Sequence, residues 1–387
     1  MKLSDLARID VGYSFESNRF SDDPSDARLL RGANVGVVRP KWSDVRYWDV
    51  AKNPVDANLE LKVGDIVVAM DACFTAQGEL RASRLDFEDL PALLVQRVAR
   101  LRARDSKSQG YLWSIVRSSG FAQAVHEQLT GSVITHISSS QLGDIEIDEV
   151  PAFAERYAIG SVLDALDDKT KSNHRLQSLL QKTVTTEYEL ITQNRDLVEY
   201  RSALDVVMGV AFSGDHFSRN GVGRPLIRIR DLKSFVPQTW TTETRADEVV
   251  IRAGDVVVGM DAEFRSTLWI GEDGLLNQRV CKFVPKPGVA TAFAWCAIKP
   301  DLEYCERAKT GTTVIHLNRG DIERFSVPQL TIDEHQRFET VTEPMLRRLV
   351  AAGLENMQLV SLKEVLLPEL LSGRLRVKDA ESMMENV

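Results

Sequence analysis

The chain runs to 387 residues, 43% hydrophobic and 27% charged, a length that divides into two or three globular domains rather than one. Its net charge of −8 excludes a uniformly basic nucleic-acid binder and leaves room only for one whose positive charge is local. No run of about 18 apolar residues is present, so no membrane span is expected. Met1-Lys2-Leu3-Ser4-Asp5 lacks the apolar core of a signal peptide, and a cytoplasmic location is the expectation.

From the N-terminus, the first elements are strand-rich. Gly12-Tyr13-Ser14-Phe15 and Leu29-Leu30-Arg31 precede a β-branched run, Asp65-Ile66-Val67-Val68-Ala69-Met70, introduced by Gly64 as a strand after a turn should be. A basic strip follows, with Arg97, Arg100, Arg102, Arg104 and Lys107 against Asp105 alone. Then come Thr130-Gly131, His136 and Gly143-Asp144-Ile145. From about 155 to 191 apolar residues recur at helical spacing, among them Ile159, Leu163, Leu166, Leu176, Leu180, Val184 and Tyr188, which predicts one long helix. Its middle is polar, with Asp167, Asp168, Lys169 and Asn173, which suits packing on another helix. The stretch from Asn194 to Asp205 reads as a polar link.

The same order then repeats. Gly254-Asp255-Val256-Val257-Val258-Gly259-Met260-Asp261-Ala262-Glu263-Phe264 echoes the run from Gly64 to Phe74 at an offset of 190 residues. Gly209 to Phe212 and Leu226-Ile227-Arg228 echo their counterparts at 197, Gln278-Arg279-Val280 echoes Gln96-Arg97-Val98 at 182, and Thr310-Gly311 with His316 echoes Thr130-Gly131 with His136 at 180. Offsets that fall steadily mean one duplicated unit whose second copy lost loop residues. A second basic strip holds Arg219, Arg224, Arg228, Arg230 and Lys233 against Asp231. A second helical stripe runs from Phe338 through Val341, Met345, Leu349, Leu354, Met357, Val360 and Val365, with Pro344 and Pro368 as candidate kinks or boundaries.

The expected fold is α+β. Strand-rich domains at 1–152 and 194–330 (the latter including the link) are separated by two long antiparallel helices at 153–193 and 331–375, a coiled-coil spacer with a pseudo-two-fold internal repeat; 376–387 is an acidic tail. Leu163, Leu166, Leu176, Met345 and Leu349 are read as the helix seam. Cys73, Cys281, Cys296 and Cys305 show no C-x-x-C spacing and are expected to be reduced and buried.

At five places in register the chain resembles the specificity subunits of Type I restriction–modification systems. These are Leu30-Arg31-Gly32-Ala33-Asn34-Val35, Gly259 to Phe264, Leu276-Asn277-Gln278-Arg279-Val280, Thr310 to Leu317, and Leu366-Leu367-Pro368-Glu369-Leu370-Leu371-Ser372-Gly373-Arg374-Leu375. The first copy departs from the pattern, with Leu94-Val95-Gln96-Arg97 and with Cys73 in place of Glu263. The resemblance implies two target recognition domains that read the halves of an asymmetric bipartite site on double-stranded DNA. It also implies docking of two methyltransferase subunits on the helices, addition of restriction–translocase subunits, and no catalysis by this chain. S-adenosylmethionine, ATP and Mg²⁺ would sit on those partners and no cofactor on this chain. A free-standing DNA-binding regulator and a coiled-coil protein adaptor are the alternatives.

Side-chain chemistry selects DNA-contact candidates, because Arg and Lys bind phosphates while Arg, Asn and Gln also read base edges. They are Arg31, Asn34, Gln77, Arg81 and Arg84 in the first copy, and Arg228, Arg230, Lys233, Arg265, Trp269, Asn277, Thr312 and Thr313 in the second. His136 and His316 are expected to make structural hydrogen bonds, and Asp71 and Asp261 to shape strand ends. No G-x-x-x-x-G-K-[ST] is found, nor a His/Cys cluster with metal spacing. Asp56 with Glu60-Leu61-Lys62 only loosely suggests a nuclease carboxylate cluster.

Overall fold

The computed structural model describes residues 1–130, 136–148, 150–261, 263–309 and 316–384, so Thr312 and Thr313 lie outside the described residues. Sheet and helix are mixed, and the chain divides into two compact units, Met1–Asp168 with Val360–Val387, and Lys169–Leu359.

In the first unit a four-stranded antiparallel sheet has the order Ala7–Val11, Val98–Ala103, Ile66–Ala69, Ala82–Arg84. Gly64, at φ +84°, supplies the turn into Ile66–Ala69. All four residues of that strand are buried, which is why it reads as an unbroken apolar run rather than an alternating one. A smaller sheet sets Ala27–Leu30 parallel to Ala92–Leu94 and antiparallel to Tyr47–Trp48. Val67, Ala69 and Val98 of the first sheet share a core with Leu30, Ala92 and Leu94 of the second.

The second unit repeats the larger sheet of this plan strand for strand and enlarges the smaller one. Its four-stranded sheet has the order Leu204–Met208, Val280–Pro285, Val256–Gly259, Thr267–Leu268. The register is conserved through the duplication: Val67 faces Arg100 in the first unit, and Val257 faces Lys282 in the second. The parallel pair recurs as Arg224–Ile227 beside Gly274–Leu276, now within a five-stranded sheet.

Two helices of 40 residues each, Phe153–Thr192 and Ile332–Leu371, match the predicted long elements. The second continues through Pro344 and Pro368, so neither proline ends it. The boundary between the units falls inside both helices. In the first unit Glu155 pairs with Arg376 and Asp167 with Lys363; in the second Lys169 pairs with Glu355 at 2.9 Å and Gln177 Nε2 donates to the Leu349 carbonyl at 3.3 Å. Partner numbers fall as helix numbers rise, so the segments run antiparallel within each unit. Leu163, Leu166 and Leu349 are buried, and Leu176 and Met345 half-buried.

The stretch from Asn194 to Asp205 is more than a polar link. Leu197–Glu199 pairs antiparallel with Ser326–Pro328, and Tyr200, Ala203 and Leu204 are buried although Leu197 stays exposed, because most of the apolar residues interleaved with its charges turn inward. The first unit makes the equivalent junction where Lys2 bridges Glu146 and Leu3 N donates to the Ile145 carbonyl at 2.8 Å. The segment read as an acidic tail carries a helix, Val377–Met384, with Ala380 buried. All four cysteines are buried; burial pushes the Cys281 thiol up to about 12 and Cys296 up to about 11, far from thiolate reactivity. The Asp56 carboxylate caps the turn Ala57–Leu59 by accepting from Asn58 N at 2.8 Å, which gives it a local structural role.

Two glycines on the long helices make opposite predictions. A Cβ at Gly160 would lie 2.6 Å from Tyr111 N and against the Gly110 backbone, whereas at Gly353 it would meet the side-chain ends of Ile270 and Gln177. Gly160→Ala should therefore cost about 1–3 kcal/mol and lower the melting temperature, and Gly353→Ala should cost clearly less; equal melting curves would refute the contrast. His335 gives a pH prediction. It is buried edge-to-face against Phe293, with ring centroids 4.7 Å apart, and burial holds its pKa below the ordinary value. The unfolded chain takes up a proton near pH 6.5 while the folded state resists until lower pH, so this contribution to stability is lost as pH falls through that window. The unfolding midpoint should drop between about pH 7.5 and 5.5, and His335→Leu should flatten that dependence.

Candidate nucleic-acid interface

The first unit has a shallow groove of about 380 Å³ lined by Arg31, Gly32, Ala33, Asp71, Ala72, Arg81, Val95, Gln96 and Arg97. Its position follows from the sheets. Asp71 lies just past the end of Ile66–Ala69, and Gln96 and Arg97 form the turn between Ala92–Leu94 and Val98–Ala103. Three arginines thus line a surface with a single carboxylate. Arg31 Nη2 donates to the Asp44 carboxylate at 2.9 Å. Arg81 instead donates to the carbonyls of Val35 at 3.1 Å, Ala72 at 3.0 Å and Gly32. Carbonyls orient a guanidinium without cancelling its charge, so Arg81 leaves positive potential in the groove.

Other candidates of the first copy go elsewhere. Asn34 is 1% exposed, and its amide donates to the Lys41 and Asp44 carbonyls at 2.9 and 3.0 Å, so it shapes the loop from within. Arg84 forms a two-bond pair with Asp164 of the first long helix. Gln77 is exposed at the tip of the turn between Thr75 and Glu79.

In the second unit Lys233 and Arg265 are exposed, and both pair with Glu263, at 3.2 and 3.3 Å. Arg230 is exposed and Arg228 half-buried, at the start of the helical turn Asp231–Ser234. Asp231 is fully buried and accepts from Arg228 N at 2.8 Å; burial raises its pKa. Trp269 is 0% exposed, with Nε1 donating to the Glu272 carbonyl, and belongs to the core. Asn277 is buried, its backbone bonded to Ile227 and Val280.

One arrangement appears in both units. His136 Nδ1 lies 2.6 Å from Asp71 Oδ1, with Arg97 Nη1 3.3 Å from the same oxygen. His316 Nδ1 lies 2.7 Å from Asp261 Oδ1, with Arg279 Nε 3.7 Å from Oδ2. A carboxylate only accepts, so each Nδ1 carries the proton. The histidines and aspartates hold the structural places expected of them. The arginines are absent from the candidates chosen by sequence, although the recurrence of Gln-Arg-Val at 96–98 and 278–280 was a signal.

Taken together, these elements define an internally duplicated protein, each copy a pair of sheets joined to a forty-residue helix. This fold matches the crystal structure of the Type I restriction–modification system S subunit from M. genitalium, with a TM-score of 0.65, 13% sequence identity, and coverage of 96% of this chain and 95% of that one. In sequence the chain is similar to the Type I restriction enzyme EcoBI specificity subunit of Escherichia coli, 27% identical over 218 residues, which are 52% of this chain and 46% of the relative. It is also similar to the EcoAI specificity subunit of the same organism, 25% identical over 190 residues, 49% of this chain and 31% of the relative. The chain thus spans less than half the length of the curated relatives it matches. No family model matches.

If Arg81 props up the groove from within, Arg81→Met strands three carbonyls and should cost about 2–4 kcal/mol, seen as a lower melting temperature. Gln77→Ala at the exposed turn tip should leave the melting temperature unchanged. The reverse order would show that Arg81 is dispensable to the loop.

Proposed function

We propose that this chain is the DNA sequence-specificity subunit of a Type I restriction–modification enzyme, with no catalytic role of its own. Each strand-rich unit reads one half of an asymmetric, bipartite site on double-stranded DNA. The observation that carries this reading is the pairing of one repeated backbone with unlike surfaces. Strand order, register and the Asp–Arg–His arrangement recur. Around them the chemistry changes: the first unit has buried Cys73 and the carbonyl-held Arg81, where the second presents Glu263 between Lys233 and Arg265. Two copies of one reader with different side chains suit two different half-sites.

The DNA-facing surface of the first unit is the groove of Arg31, Arg81 and Arg97, with Gln77 nearby in the chain. In the second it is the surface of Arg228, Arg230, Lys233 and Arg265. Asn34, Arg84, Trp269 and Asn277 support these surfaces from inside. Two methyltransferase subunits dock on the long helices, and restriction–translocase subunits join that core. Exposed apolar residues support such docking: Leu179 and Leu190 on the first helix, and Val341, Val360 and Val365 on the second. S-adenosylmethionine belongs to the methyltransferase and ATP with Mg²⁺ to the translocase. No helix among the described residues is long and apolar enough to cross a membrane, and the site of action is the cytoplasm, where chromosomal DNA is found.

The test is a methylome. The chain is co-expressed with a Type I methyltransferase subunit from the same genome, and N6-methyladenine is mapped by single-molecule sequencing, with a deletion of this chain as control. An asymmetric bipartite motif that disappears in the deletion is the expected result. Methylation that persists unchanged in the deletion, or that is absent although the complex forms, would reject the reading.

A further inference from the structure

The two Asp–Arg–His arrangements carry more than a structural role. Three chain segments meet at the residue before each aspartate. Met70 N donates to the Arg97 carbonyl at 3.0 Å and its carbonyl accepts from Ile137 N at 3.0 Å; Met260 N donates to the Arg279 carbonyl at 2.9 Å and its carbonyl accepts from Leu317 N at 2.7 Å. The strand end, the arginine turn and the histidine segment are therefore locked together before any side chain is counted. On that lock the aspartate binds the histidine through Nδ1, and the arginine lies against the same pair. In the second unit Arg279 Nη1 lies against the His316 ring, 3.2 Å from Nδ1 and 3.3 Å from Nε2.

The arginine remains open to solvent. Its side chain is 55% exposed at Arg97 and 51% at Arg279. A surface ion pair of this kind contributes little to stability, about 0–1 kcal/mol, so stability alone gives weak reason for the same trio in both units. Arg97, though not Arg279, also holds φ +67°, a left-handed conformation unusual for a side chain of this size, and such strain concentrates at functional positions. It lines the groove with Arg31 and Arg81, where three arginines face the lone carboxylate of Asp71.

What the arginines touch follows from their sameness. Side chains that tell two different half-sites apart must differ between the units. Arg97 and Arg279 are the same residue at equivalent turns, each beside the equivalent Asp–His pair. They suit the part of DNA that is the same at every sequence, the phosphate backbone. We infer that Arg97 and Arg279 are a matched pair of phosphate contacts, one in each unit, with Asp71–His136 and Asp261–His316 as their positioning residues. This inference rests on the DNA-reading function proposed above.

The experiment measures binding of fluorescent duplexes to the complex of the full chain with its methyltransferase subunit, by anisotropy, over salt from about 50 to 200 mM. One duplex carries the methylated motif and one a scrambled sequence. Arg97→Gln and Arg279→Gln should each weaken both duplexes by roughly tenfold and lower the slope of log K against log salt by about 1, with the methylated motif unchanged. Arg97→Lys and Arg279→Lys keep the charge and should restore the slope. His136→Ala and His316→Ala should weaken binding while leaving the slope as it was. A changed motif in either Gln variant would make the arginines base readers and overturn the assignment. Unchanged affinity and slope would remove them from the interface while the specificity reading stands. A wild-type complex without salt-dependent DNA binding would end both.

Discussion

Neither forty-residue helix can stand on its own stripe. Both stripes are interrupted by polar residues, and helices of such composition are stabilised by what covers them rather than by propensity. The cover here comes from distant sequence: the last part of the second helix, from Val360, closes the first unit, and the middle of the first helix enters the second. The polar interruptions then set register. Asn173 is 2% exposed and donates through Nδ2 to Glu355 at 2.9 Å and Asn356 at 3.0 Å. A one-residue slip would leave these groups buried without partners, at about 1–3 kcal/mol each, so the seam has one favoured alignment. In the first unit Lys363 meets the same constraint. Burial pulls its pKa down, and the adjacent Asp167 carboxylate partly offsets that loss.

Long-range closure also explains why the sheets can be economical. The central strand Ile66–Ala69 is short and wholly buried, flanked on both edges by antiparallel neighbours, and Val256–Gly259 repeats it. Each ends at a Met-Asp pair whose aspartate is held by a histidine far along the chain. The loops at this end vary in length and chemistry between the units without disturbing the strands beneath. That separation of a fixed frame from a variable surface is what one fold would need to recognise unlike targets.

Much of this was legible in the sequence, because periodicity and repetition report backbone. The duplication, the strand after Gly64, the long helices and the polar seam residues all follow from spacing. Exposure was not legible at single residues. Asn34, Trp269 and Asn277 carry hydrogen-bonding chemistry that serves DNA and protein interiors equally well; in the fold Asn34 and Trp269 spend it on the Lys41, Asp44 and Glu272 carbonyls, and Asn277 is buried at a backbone turn. Arg84 has the right chemistry for phosphate, but its partner is Asp164, 80 residues along the chain on the long helix. Only the fold brings that carboxylate near. The stretch Asn194–Asp205 differs from a polar link for a related reason: its average is polar, yet Val198, Tyr200 and Leu204 turn inward.

The acidic balance of the chain looks at first like an argument against DNA. Position resolves it. Many carboxylates are engaged inside the fold: Asp10 with Arg100, Asp65 with Arg102, Asp164 with Arg84, Asp167 with Lys363. Each such pair also removes an arginine or lysine from the surface, so the basic strips of the sequence are partly structural: Arg100 is 1% exposed, and its guanidinium holds the Asn58 and Glu60 carbonyls. The charge that matters for a polyanion is what survives this pairing at one surface. In the first unit it survives at Arg81, held by carbonyls, beside a half-open Arg97. A phosphate approaching that groove meets fixed donors whose orientation is already set by the fold, so little further ordering is required on binding.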